Sequence, residues 1–123
     1  MSYLLLDLKN RYRQVVKIHR YDNDTRNLKI RVTDNGLPFQ LLSSYDVFLK
    51  VPVNGRPVYI SGDIDEEENI ARFALSHNVS LQGGNIYSEM IISNDGSIVD
   101  GELQSDTILA TMHFVLSINK GTY

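Results

Sequence analysis

Between Arg26 and Val53 the chain changes character at every second residue. Leu28, Ile30 and Val32 alternate with Lys29, Arg31 and Thr33. Successive side chains of an extended strand point to opposite faces, so this pattern predicts one apolar face and one wet face. Asp34-Asn35-Gly36 follows, and Asn and Gly tolerate the positive φ that tight hairpin turns require. Pro38 lacks an N–H and belongs at a sheet edge. After Leu41 the alternation resumes, with Val47, Leu49 and Val51 set against Phe48 and Lys50. Period-two patterning broken by turn residues is the signature of half-buried antiparallel strands.

The same signature recurs along the chain. Gln14 to Arg20 reads as a strand with Val16 and Ile18 on one side, and Tyr21 to Thr25 as a turn. Asn54-Gly55 predicts a second hairpin turn, leading into Val58, Tyr59 and Ile60. Pro52 is expected to end its ladder or to sit on an edge. Asp63 to Asn69 reads as an acidic loop, followed by a strand from Ile70 to Leu75. Ser76 to Leu81 has room for one helical turn before Gly83-Gly84 breaks the chain. Asn85 to Ser93 alternates Ile86, Met90 and Ile92 against Tyr87, Glu89 and Ile91. Asn94-Asp95-Gly96 is a third turn, and Ile98 to Leu103 a short strand. The longest alternation places Ile108, Ala110, Met112, Phe114, Leu116 and Ile118 on one side, against Thr111, His113 and Ser117. Short strands with turns at roughly ten-residue spacing predict an all-β, antiparallel β-sandwich of about eight strands.

At 123 residues the chain predicts one domain, spanning 15–120, preceded by an N-terminal arm or edge segment over 1–14. It has no cysteine, which excludes disulfides and thiolate metal sites. Twelve basic and fifteen acidic residues give a net charge of −3. Nucleic-acid binding draws on a basic surface, so the balance argues against it. No apolar run approaches the roughly 20 residues of a membrane-spanning helix. Leu4-Leu5-Leu6 is too short for the core of a signal peptide and is interrupted by Asp7. The expectation is a protein made and folded in a cytoplasm.

No catalytic constellation stands out, and neither an enzyme nor a cofactor is expected. His19, His77 and His113 are too dispersed to suggest a metal set. Asp63-Ile64-Asp65-Glu66-Glu67-Glu68 is the one acidic run, and Asp63 and Asp65 are its candidate cation ligands. An EF-hand register fails there, because its sixth position falls on Glu68 and its twelfth on Ala74. There is no Gly-x-Ser-x-Gly elbow, and Ser76-His77 are merely adjacent. Gly83-Gly84 lacks the lysine of a phosphate loop. Seven tyrosines without a tryptophan leave carbohydrate binding as a second reading, with strand tyrosines in core or sheet-surface roles as the ordinary one.

Three stretches, in this order, resemble the N-terminal domain of bacteriophage baseplate upper proteins. The first is Leu28-Lys29-Ile30-Arg31-Val32 followed by Thr33-Asp34-Asn35-Gly36-Leu37-Pro38-Phe39-Gln40-Leu41. The second is Tyr45-Asp46-Val47-Phe48-Leu49-Lys50-Val51. The third is Gly84-Asn85-Ile86-Tyr87-Ser88-Glu89, with Asn94-Asp95-Gly96 beyond it. The likeness runs from about Val16 to Ile118. Where the family often has a glycine before the strand beginning at Ile70, this chain has Glu68-Asn69, and Asn can take the same left-handed turn. The coiled-coil or receptor-binding segments that follow this domain in full-length members are absent, so the chain reads as a domain of a longer protein or a naturally short tail protein.

The resemblance implies an immunoglobulin-like β-sandwich in the virion tail, assembled in the host cytoplasm. It implies a structural component that docks the host-recognition apparatus to the baseplate hub through protein–protein contacts. Partners would be other baseplate or tail proteins and further copies of the chain, with no nucleic acid and no membrane. The N-terminal arm is the expected contact segment, through Tyr3, Leu5, Arg11 and Tyr12. A carbohydrate-binding module contacting the host surface is the alternative.

Overall fold

Three two-residue turns hold the strands in register. Asn35-Gly36, Asn54-Gly55 and Asp100-Gly101 each have positive φ at both positions, between 52° and 84°. A turn of that hand matches the right-handed twist of the strands it joins. The computed structural model describes residues 4–8, 14–19, 27–75, 84–105 and 107–119. Within them lie β1 (Leu4–Asp7), β2 (Gln14–His19), β3 (Asn27–Asp34), β4 (Leu37–Pro38), β5 (Asp46–Val53) and β6 (Arg56–Ser61). They are followed by β7 (Asp63–Asp65), β8 (Ile70–Ala74), β9 (Gly84–Ser93), β10 (Ser97–Val99), β11 (Glu102–Gln104) and β12 (Ile108–Asn119). The count exceeds the expected eight because β4, β7, β10 and β11 are pieces of two or three residues.

The fold is all-β, as the alternation predicts. One sheet runs β1-β3-β8-β7, with β4 added to β3. The other runs β2-β12-β9-β5-β6, and β10-β11 form a separate hairpin. Pairing is antiparallel except at the two N-terminal strands: β1 runs parallel to β3 and β2 parallel to β12. β4 pairs with β3 through Thr33 and Asp34, past the β8 ladder at Asn27 to Ile30, which puts Pro38 at the edge expected of it. Beyond Lys50, β5 loses its β9 partner, and Pro52 continues beside β6 alone.

The inward-facing residues of both sheets close over one core. Leu28, Ile30, Val32 and Phe73 from the first sheet meet Val47, Leu49, Val51, Met90, Ile92, Phe114 and Leu116 from the second. Leu6 of β1 is buried with them, so the amino-terminal strand contributes to the interior. Packing of this kind, rather than strand propensity, supplies most of the stability of a sheet domain.

Four readings of the sequence need correction. Asp63 to Asn69 is not a loop but the β7 strand and the turn leading into β8. Ile98 to Leu103 is not one strand: the Asp100-Gly101 turn folds it into the β10–β11 hairpin. Phe48, placed by alternation on the wet face, is 2% exposed. Gly96 lies against its ring so closely that a Cβ there would sit 2.5 Å from Phe48 Cε2, so the chain after β9 covers it. Ile108 is out of phase with the rest of β12 because the register to β9 shifts between Ile108 and Ala110, and its side chain is 54% exposed. An extra residue in one strand turns every side chain before it to the other face. The turns expected at Tyr21 to Thr25 and Ser76 to Leu81 lie outside the described residues.

Candidate functional site

The outer face of the second sheet brings aromatic, basic, acidic and imidazole side chains together. Register places Lys50 opposite both Tyr59 and Glu89, and Glu89 opposite His113. Directly opposed residues share a face, so Tyr59, Lys50, Glu89 and His113 form one row across β6, β5, β9 and β12. His113 Nδ1 lies 3.3 Å from Glu89 Oε1. Lys50 Nζ stands 6.0 Å from the centroid of the Tyr59 ring, at the outer limit of a cation–π contact. Two residues along β9 from Glu89, Tyr87 is 61% exposed. Pro52 and Pro57 are opposed on β5 and β6. Lys50, Glu89, His113, Tyr87 and the two prolines line an open depression of about 320 Å³. Ser88 also borders it, but that side chain is buried and its hydroxyl donates to the Ile86 carbonyl at 3.3 Å.

A second surface is the β1 edge. Asp7 acts as a clamp between β1 and the β3–β4 turn. Its Oδ2 accepts from Thr33 Oγ1 at 2.9 Å and from the Gly36 N–H at 2.7 Å, and its Oδ1 accepts from the Asn35 N–H at 3.1 Å. The Leu8 N–H donates to the Thr33 carbonyl at 2.8 Å. With Leu6 inside and Asp7 tied to the turn, alternation turns Leu5 outward, where it is 51% exposed opposite Arg31. Of the predicted contact residues, Leu5 is thus an exposed edge-strand side chain. Tyr3, Arg11 and Tyr12 lie outside the described residues.

The acidic run is engaged in holding the fold. Asp65 Oδ2 is 2.8 Å from Arg72 Nη2, and Asp65 Oδ1 accepts from the Glu68 N–H at 3.2 Å. Glu66 Oε1 accepts from the Ser43 N–H at 2.6 Å. Among the described residues no three His, Asp or Glu side chains converge as a metal set. Asp63 faces Arg72 across the ladder, so a cation placed between Asp63 and Asp65 would meet a guanidinium. His113 lies on the outer face, as its phase predicts. His77 and the side chain of His19 lie outside the described residues.

Two structural clamps escape motif reading almost entirely. Asn69 takes φ 57°, the left-handed turn expected of it. Its side chain also accepts from the Leu41 N–H at 2.7 Å and donates to the Phe39 carbonyl at 3.0 Å. With Glu66 it staples the connector between the two sheets onto the β7–β8 turn. Asp46 Oδ2 accepts from the Gly96 N–H at 3.0 Å and fixes the root of the β10–β11 hairpin. Asp95 completes that root by accepting from Ser105 Oγ at 2.9 Å and from the Thr107 N–H at 3.2 Å. Only Asp95 carries a local signal, an Asp beside the glycine of a turn, whereas Asn69 and Asp46 have none.

No protein family profile and no curated protein sequence matches the chain. Among solved structures, the chain is similar to the N-terminal domain of phage TP901-1 ORF48. The TM-score is 0.68 over 96% of this chain and 97% of that one, at 16% identity. The likeness covers both sheets and establishes that the two chains share a fold.

Proposed function

We propose that this chain is a structural domain of a phage tail baseplate that docks neighbouring tail proteins by protein–protein contacts. The observation carrying this reading is the end-to-end likeness to a phage baseplate protein's N-terminal domain. The order of sequence motifs from Leu28 to Gly96, similar to that of baseplate upper proteins, points the same way. The geometry supplies what such a part needs. A doubly laddered sandwich is rigid, and Asp7 ties the amino-terminal strand to it. A rigid edge with an outward apolar side chain suits a partner that extends the sheet or packs against it. We assign the contact to the amino-terminal segment, from Tyr3 through Leu5 to Arg11 and Tyr12, and expect several copies in the virion tail after assembly in the host cytoplasm. No enzymatic role is proposed.

Co-expression with the tail proteins encoded beside it, followed by mass measurement of the purified assembly, tests the reading. A defined complex of several copies is expected, and Leu5→Asp should release it while leaving the fold intact. A monomer that captures none of those proteins overturns it.

A further inference from the structure

We propose that the depression on the outer face of the second sheet binds a neutral pyranose unit of a saccharide. The inference goes beyond the docking role and does not depend on it.

The charge of the site comes first. Among the described residues its lining carries one cation, Lys50, and one carboxylate, Glu89, the latter already beside the His113 imidazole. An anionic ligand such as a phosphate would gain one lysine and meet one carboxylate, so the charges favour a ligand without net charge. The backbone comes second. Lys50, Glu89 and His113 lie inside continuous ladders, where main-chain groups are used within the sheet. Along the row from Lys50 to His113 a partner strand therefore has no ladder to extend, and recognition there falls to side chains.

Those side chains match the two-sided chemistry of a sugar ring. A pyranose has a face of C–H groups and a rim of hydroxyls. Tyr87 offers an exposed aromatic ring, and Pro52 and Pro57 extend the apolar floor. Glu89 lies two residues from Tyr87 on the same face, roughly 7 Å along the strand, beside a ring stacked there. A carboxylate has about four acceptor sites, so Glu89 keeps capacity for two hydroxyls while holding His113. Lys50 donates to a hydroxyl oxygen from across the ladder. A volume of about 320 Å³ is at the small end of ligand pockets, enough for one or two sugar rings. Because the depression is open, the expected affinity is millimolar.

The test is an NMR titration of the ¹⁵N-labelled chain with glucose, galactose and N-acetylglucosamine, and with inorganic phosphate as the anionic comparison. At least one sugar should give saturable shifts centred on Lys50, Tyr87, Glu89 and His113. Tyr87→Ala should weaken that binding roughly tenfold or more, as loss of a stacking platform does, whereas Tyr87→Phe should retain it. Glu89→Gln should weaken it several-fold. The amide spectrum of each variant reports directly that it still folds. The proposal is overturned if no neutral sugar saturates, if phosphate is preferred, or if the shifts centre elsewhere. It is equally overturned if Tyr87→Ala leaves sugar affinity unchanged, or abolishes capture of a tail protein while no sugar binds, which would make the depression a protein dock.

Discussion

On the outer face of the first sheet, Asp63, Arg72 and Lys29 lie side by side across β7, β8 and β3. On the outer face of the second, Phe48 and Ile91 lie side by side across β5 and β9, and both are buried. The strand rule is the same in both places: alternate residues point outward. What differs is the chain above them. Nothing described covers the first sheet at these positions, which are charged, with Asp63 and Arg72 exposed. The stretch after β9 leaves the second sheet, makes the β10–β11 hairpin and returns, and its root closes over Phe48. Alternation therefore assigns a side chain to a face, and only the long-range path of the chain decides whether that face is wet. The rest of the second sheet's outer face, which no described segment covers, is where Tyr87 and His113 are exposed and Lys50 and Glu89 half-buried.

The comparison breaks most sharply at Phe48. If the hairpin root is a genuine second core, Phe48→Ala should cost about 3–5 kcal/mol, as deletion of a buried ring does. Urea unfolding measures it, and a loss near that of an exposed strand residue would mean that the cover opens in solution. Gly96→Ala attacks the same contact from the other side. Its Cβ would overlap Ser93 Oγ and press on the Phe48 ring, for an expected loss of about 1–3 kcal/mol. The two effects should be less than additive when combined, because removing the ring relieves the overlap.

Much of this architecture is legible from residues alone. The alternation at Leu28 to Val32 and Val47 to Val51 predicts strands with the correct inward side, because a period of two leaves no choice of face once one side is apolar. The Asn35-Gly36 and Asn54-Gly55 turns are legible because few other pairs accept positive φ twice. Phe48 is not legible, since its cover begins some fifty residues later. Asp100-Gly101 carries the same turn signal as the others, but the strands beside it are three residues each, too short for a pattern to show. The residue-by-residue reading misses the shift at Ile108, because a bulge leaves no composition of its own. The depression is assembled from β5, β6, β9 and β12, and each contributes residues that look like ordinary strand surface until register aligns them.

Asn69 sharpens the comparison at the seam between the two sheets. Asn69→Gly keeps the left-handed backbone but removes both hydrogen bonds to the connector. The expected loss is about 1–2 kcal/mol, larger than the backbone preference alone would give. Hydrogen exchange should show the Leu41 amide losing protection before the amides of β3 and β8. Equal loss along both strands would mean that Asn69 supports the whole first sheet rather than the crossing.

The smallest effect is expected at the charged face. Arg72 and Asp65 meet at 2.8 Å, but their side chains keep 47% and 26% of their exposure, so water competes for both. Exposed pairs of this kind contribute about 0–1 kcal/mol, and salt weakens them further. Arg72→Gln should therefore change stability by less than about 0.5 kcal/mol, and the change should shrink as salt is added. Asp65→Asn is predicted to cost somewhat more, because Asp65 also accepts from the Glu68 N–H within the β7–β8 turn. The difference between those two variants isolates the turn from the ion pair. If Arg72→Gln instead costs as much as Phe48→Ala, the first sheet's outer face is not simply solvated, and some part of the chain or a second copy must lie over it.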